Sequence, residues 1–168
     1  TGFLGEKRTL TAIEITHLFL NIQTNAIGKT LMVGFAQTAR REEVKNYILR
    51  GKQMAQKHIQ TFTDFLLKED LPAPMHWDSN VTHSTQKVFS DKLIMFHVSG
   101  LIAAGIGNYG MALAASPRRD LGAKYASLIP EITLFAEDGA NIMIHNGWME
   151  EPPQNDDRNK LAKGKRGF

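Results

Sequence analysis

The sequence predicts an all-α protein, an antiparallel four-helix bundle in which a long crossover joins the second helix to the third. Three observations predict it. Four long stretches carry helical periodicity, the first two are separated only by a tight turn, and a proline-broken segment of about 20 residues divides the two pairs.

The first stretch covers residues 10–38, opened by Thr9 or Thr11 as N-cap. Leu10, Ile13, Leu20, Thr24, Ile27, Leu31 and Phe35 recur at coiled-coil-like core steps, which places them inward. Glu14, His17 and Asn21 lie on or beside that stripe, where a bundle normally places leucine. The second stretch, residues 42–68, puts Val44, Ile48, Gly51, Met54 or Ala55, His58, Phe62 and Phe65 on one face. Its connection to the first is a short Arg-Arg turn, so the two are expected as antiparallel neighbours.

No helix continues through Leu71-Pro72-Ala73-Pro74. A linker this long is uncommon inside a domain unless it has a job. Partly extended, residues 70–89 are long enough to traverse a bundle about 40 Å in length. The third stretch, residues 90–116, starts at Ser90-Asp91 and stops at Ser116-Pro117. Glycine costs about 1 kcal/mol in a helix interior. Close approach of a neighbouring helix, within the chain or across a dimer, is the expected compensation. The small face Gly100, Ala103, Ala104, Gly107, Met111 and Ala114 is therefore placed inward. The fourth stretch, residues 120–146, stops at Gly147 ahead of Pro152-Pro153. The bundle is thus residues 1–150. Residues 151–168 form a polar tail made basic by Lys160, Lys163, Lys165 and Arg166.

With 168 residues, 42% of them hydrophobic and 22% charged, the chain has the balance of one globular domain. The net charge of +3 is concentrated in the tail, and no aromatic-basic stripe is present, so no nucleic-acid partner is expected. There is no cysteine, which excludes disulfides and thiolate metal sites. The most apolar run, residues 93–115, is broken by His97, Ser99, Asn108 and glycines, so no membrane partner is expected. The opening Thr-Gly-Phe reads as a processed start or as part of something longer. No phosphate loop or nucleophile elbow occurs, and Gly105 to Gly110 has no strand before it. No catalytic or cofactor-binding residue is assigned, and a non-enzymatic role is favoured.

One constellation can carry metal chemistry. Counted at 1.5 Å per residue from the shared bundle end, Glu14, His17, His58 and Glu131 fall near one height. Glu14 and His17 share a helical face, as two ligands of one ion do. Carboxylate and imidazole suit iron, manganese or zinc. The plainer alternative is that His58 is a hydrogen-bonded core histidine and Glu14 complements a helix dipole.

Several segments carry a family resemblance: Leu10-Thr11-Ala12-Ile13-Glu14-Ile15, Lys57-His58-Ile59, Phe89-Ser90-Asp91-Lys92-Leu93, Gly107-Asn108-Tyr109-Gly110, Ser116-Pro117-Arg118-Arg119-Asp120-Leu121 and Gly147-Trp148-Met149-Glu150-Glu151-Pro152-Pro153. Along nearly its whole length the chain resembles the uncharacterised ferritin-like proteins of spore-forming bacilli that carry the label of spore coat protein, of the spore coat protein F type. The resemblance implies a ferritin-like bundle, here the second of a tandem pair. It also implies a structural role, cytoplasmic or spore-associated, with a tandem bundle, a second copy or other coat proteins as partners. It implies no established activity. Ferritin-like di-metal proteins place one Glu on each of two helices and Glu-x-x-His on each of the other two. Glu14 fits the single Glu. Ala55-Gln56-Lys57-His58 keeps the His and lacks the Glu, Glu137-Asp138-Gly139-Ala140 keeps a Glu and lacks the His, and the third helix has no carboxylate at mid-height. A single-ion site is therefore the most this sequence supports.

Overall fold

The computed structural model describes residues 8–76, 78–150 and 152–163. Four long helices carry the fold: α1 (Ala12–Thr38), α2 (Glu42–Leu67), α3 (Asp91–Ala114) and α4 (Arg119–His145). A 3-10 turn at Asp78–Asn80 and a short α5 (Arg158–Ala162) complete the elements, and no strand occurs among the described residues. α1 packs most extensively on α2, and α3 on α4.

The helix ends follow from local chemistry. Thr11 caps α1 in a capping box with Glu14, and the Ser90 hydroxyl accepts from Leu93 N at 3.1 Å to start α3. α4 stops at Gly147, whose φ of 68° favours glycine, and the chain turns back so that Trp148 N donates to Met143 O. The N-terminus of α2 has no cap of its own. Asp91, at the head of α3, accepts from the backbone N–H groups of Arg40 and Arg41, both at 2.8 Å. α2 and α3 therefore begin at one end of the bundle. Residues 70–90 reach that end along α1: Asp78 pairs with Lys29, Val81 lies against Gly34, and Lys87 O accepts from Arg40.

The core runs through Ile22, Ile48, Ile59, Phe62, Met95, Val98, Leu121 and Tyr125. Two glycines mark the closest helix approaches. A Cβ on Gly51 would stand 2.7 Å from Phe135 Cζ and 2.8 Å from Met32 Sδ, and one on Gly139 would stand 2.7 Å from Tyr47 Cζ.

Two helices turn the opposite way from the sequence expectation. In α1 the supposed core residues Ile13, Leu20 and Ile27 are 51%, 50% and 51% exposed, whereas Glu14, Asn21 and Lys29 point inward with Leu18, Ile22 and Ala26. α1 is apolar on both sides, so periodicity cannot choose between them. The choice falls to Glu14 and Lys29, whose charges find partners inside. In α3 the small face is likewise outward: Gly100, Ala103, Ala104 and Gly107 are exposed. No atom lies within 4 Å of where a Cβ on Gly100, Gly105, Gly107 or Gly110 would stand. The expected close approach is not made within the chain. Ile94, Val98, Ile102 and Tyr109 face the core instead. By length and composition α3, whose most apolar 18-residue window has a mean hydropathy of 1.3, is long and apolar enough to cross a membrane, whereas the sequence reading expected no membrane partner for this run.

Candidate functional site

The four residues expected to share one layer separate into two places. Glu14 sits at the start of α1, 0% exposed. Its Oε1 accepts from Arg8 Nη2 at 2.8 Å and from the backbone N–H of Arg118 at 2.9 Å. Its Oε2 accepts from Arg8 Nη1 at 2.9 Å, Thr11 N at 2.8 Å and the Thr11 hydroxyl at 3.0 Å. Burial alone pushes the Glu14 carboxyl up, but the Arg8, Thr11 and Arg118 donors outweigh it and bring its pKa down to about 2. The Arg118 side chain, 8% exposed, extends the cluster to Glu69 and Asp120. This knot ties the first turn of α1, the end of α2 and the head of α4.

His58 lies higher, 1% exposed, at the centre of a relay. Its Nε2 meets Glu131 Oε2 at 3.3 Å and its Nδ1 meets the Tyr109 hydroxyl at 2.9 Å. A carboxylate only accepts, so Nε2 carries the proton and Nδ1 accepts from Tyr109. The Tyr109 oxygen in turn accepts from Asn25 Nδ2 at 2.8 Å. Lys57 Nζ donates to both Glu131 oxygens at 3.0 Å. Burial pushes His58 below its ordinary value, with the Glu131 hydrogen bond opposing, so the ring is held neutral. Burial raises the Glu131 carboxyl, and the Lys57 and His58 donors more than reverse that. Burial also raises the Tyr109 hydroxyl. Burial pushes the nearby Tyr125 hydroxyl up to about 12, with the Asn21 side chain opposing.

The structure thus joins His58 to Glu131 and separates Glu14 from both. Asn25, which reaches the same Tyr109 hydroxyl as His58, lies eleven residues beyond Glu14 on α1, a rise of about 16 Å. Equal residue counts from helix ends do not give equal heights once the ends are staggered. His17 is half-buried and makes no hydrogen bond or ion pair among the described residues. The donor sets do not fit an iron, manganese or zinc ion. Five hydrogen-bond donors occupy Glu14, an ammonium group occupies Glu131, and Tyr109 occupies His58 Nδ1. Among the described residues no three His, Asp or Glu side chains converge as ligands. Sequence reasoning missed Asn25, Lys57 and Tyr109. The i, i+4 pair Asn21 and Asn25 on the Glu14 side of α1 was the available signal for a polar inward face.

Beside the relay, a half-open cavity of about 190 Å³ lies between α1, α2 and α3. Met32, Met54, Leu101, Ile102 and Ile132 form much of its wall; Asn25, His58 and Tyr109 supply polar groups, and Gly28 and Gly105 lie along it.

Among solved structures, the chain is similar to that of a putative spore coat protein from Bacillus halodurans C-125. The two are 19% identical and superpose with a TM-score of 0.76, covering 89% of this chain and 98% of that one. At that identity the likeness speaks for a shared helical fold. No curated protein matches the chain. The family model described as a protein of unknown function, DUF3231, matches residues 1–161, and the chain belongs to that family.

Proposed function

We propose that this chain is a non-catalytic, spore-coat-associated bundle of the antiparallel ferritin-like type that works through assembly. The end contacts support the topology: α1 and α4 finish where α2 and α3 begin, as Asn146 to Glu43 and Asp91 to Arg40 testify. The distribution of charge carries the functional reading. α1 has no Asp, Glu, Lys or Arg from residue 15 to 28, and α3 has none from residue 93 to 114. α2 and α4 hold Arg50, Lys57, Glu131 and Asp138, paired across the opposite side. The side left uncharged exposes Ile13, Leu20, Ile27, Leu93, Phe96 and Met111.

The occupant that fits this face is a second bundle, in another copy of the chain. A helix pair open for about 25 Å, from the start of α1 to where the crossover meets it at Lys29, and roughly 20 Å wide presents some 500 Å², toward the low end of specific interfaces, whose standard size is ~800 Å² per partner. The outward small residues Gly100, Ala103 and Gly107 of α3 allow backbones to approach closely there. A membrane-surface helix pair would instead carry Lys and Arg along its polar flanks. The Bacillus halodurans likeness supplies the setting. A fluorescent fusion expressed in a sporulating bacillus is expected to follow the coat fraction through spore purification. Release with the mother-cell lysate would overturn that setting.

A further inference from the structure

The cavity between α1 and α3 has features that neither the relay nor the assembly face requires. Gly28 and Gly105 sit in helix interiors, where glycine is unfavourable, yet no atom lies within 4 Å of where their Cβ atoms would stand. Packing therefore does not explain them; side chains at these positions would fill the opening between the helices. Its volume of about 190 Å³ exceeds the roughly 150 Å³ of an apolar cavity that takes up benzene.

The polar part of the wall is selective. Both Asn25 amide hydrogens are committed, one to Asn21 O and one to Tyr109, each at 2.8 Å. That fixes the orientation of the amide and leaves its carbonyl oxygen as an acceptor without a donor among the described residues. Asn108 also lines the cavity, and its side chain makes no hydrogen bond among the described residues. A hydroxyl has the donor that Asn25 Oδ1 lacks and the acceptor that an amide such as Asn108's takes. No Asp, Glu, Lys or Arg lines the cavity, so a charged ligand would lose its hydration with no counter-ion.

We propose that this cavity is a binding site for a small neutral alcohol or phenol, its hydroxyl on Asn25 and Asn108 and its apolar body between α1 and α3. The pocket borders the assembly face, with Ile27 and Ala104 common to both, but its amide contacts are read separately from self-association.

Phenol and 1-hexanol are the probes, titrated separately into the full chain and followed by amide nuclear magnetic resonance. The expected result is saturable shifts at the Asn25 and Asn108 side-chain amides. Hexanoate and hexylammonium at neutral pH should leave those signals in place. Gly105→Leu fills the opening and should weaken binding at least tenfold with helix content retained; Gly28→Leu is the parallel variant should the first fail to fold. Non-saturating shifts, shifts confined to outer residues such as Leu20, equal binding by hexanoate, or undiminished affinity in the folded leucine variant would each overturn the proposal.

Discussion

Replacing Glu14 by Gln removes one charge from the knot at the base of the bundle and changes little in shape. The carboxylate has five donors to satisfy, and the amide retains one acceptor oxygen while turning an NH₂ group toward Arg8 or Arg118. Its pKa falls from 4.5 to about 2 on folding. At about 1.4 kcal/mol per pH unit this drop is worth about 3 kcal/mol, of which a Gln variant should lose roughly 2–3. For a chain of this size that is a fall in Tm of roughly 4–12 °C. The sign of the pH dependence follows. A carboxyl whose folded pKa is depressed contributes its full stability above the unfolded value and loses it as pH falls. The gap between wild type and Glu14→Gln should therefore be constant above about pH 5 and close between 4.5 and 2. Urea unfolding followed by circular dichroism measures it at each pH. A chelator should leave the gap unchanged. A neutral-pH difference below about 0.5 kcal/mol, the scale of an ordinary surface substitution, or a gap that persists undiminished near pH 2, would refute the reasoning.

Gly139→Ala drives a methyl into Tyr47, whose ring stacks on Phe135 at 4.2 Å and whose hydroxyl donates to Phe135 O. It should cost about 1–3 kcal/mol by overpacking, partly recovered by adding Tyr47→Phe. Asp91→Ala strips both acceptors from the head of α2 and should cost about 1–3 kcal/mol in chemical denaturation. The His58 ring should show the neutral Nε2–H tautomer in long-range nitrogen spectra and stay neutral below about pH 6.5, the ordinary histidine value. With its folded pKa lowered, its contribution to stability is present above that value and declines on acidification below it.

Much of the architecture was legible because strong local signals agree. Thr11 with Glu14, Ser90, Pro72 with Pro74, and Gly147 punctuate the chain where the helices begin and end. The inward face of α2 was legible for the same reason. Its charged residues leave one apolar stripe, and Val44, Ile48, Gly51, Ala55, His58 and Phe62 are all buried on it. α1 and α3 were illegible because each offers two apolar faces. The deciding interactions, Lys29 with Asp78 and Glu14 with Arg118, join residues 49 and 104 positions apart. The candidate site failed at the same step. Glu131 and His58 do meet, but whether Glu14 joins them depends on helix stagger, which a residue count along each helix does not contain.

The claim that matters most is that the uncharged α1/α3 face is covered by a second copy. Sedimentation velocity of the purified chain at micromolar concentration, beside the Leu20→Glu/Met111→Glu double variant, tests it most directly. Both positions are exposed, at 50% and 64%, so the substitutions should spare the fold and leave helix content unchanged. The wild type should sediment as a dimer and the double variant as a monomer. A wild type that is monomeric at this concentration, or a folded variant that still dimerises, would contradict the account.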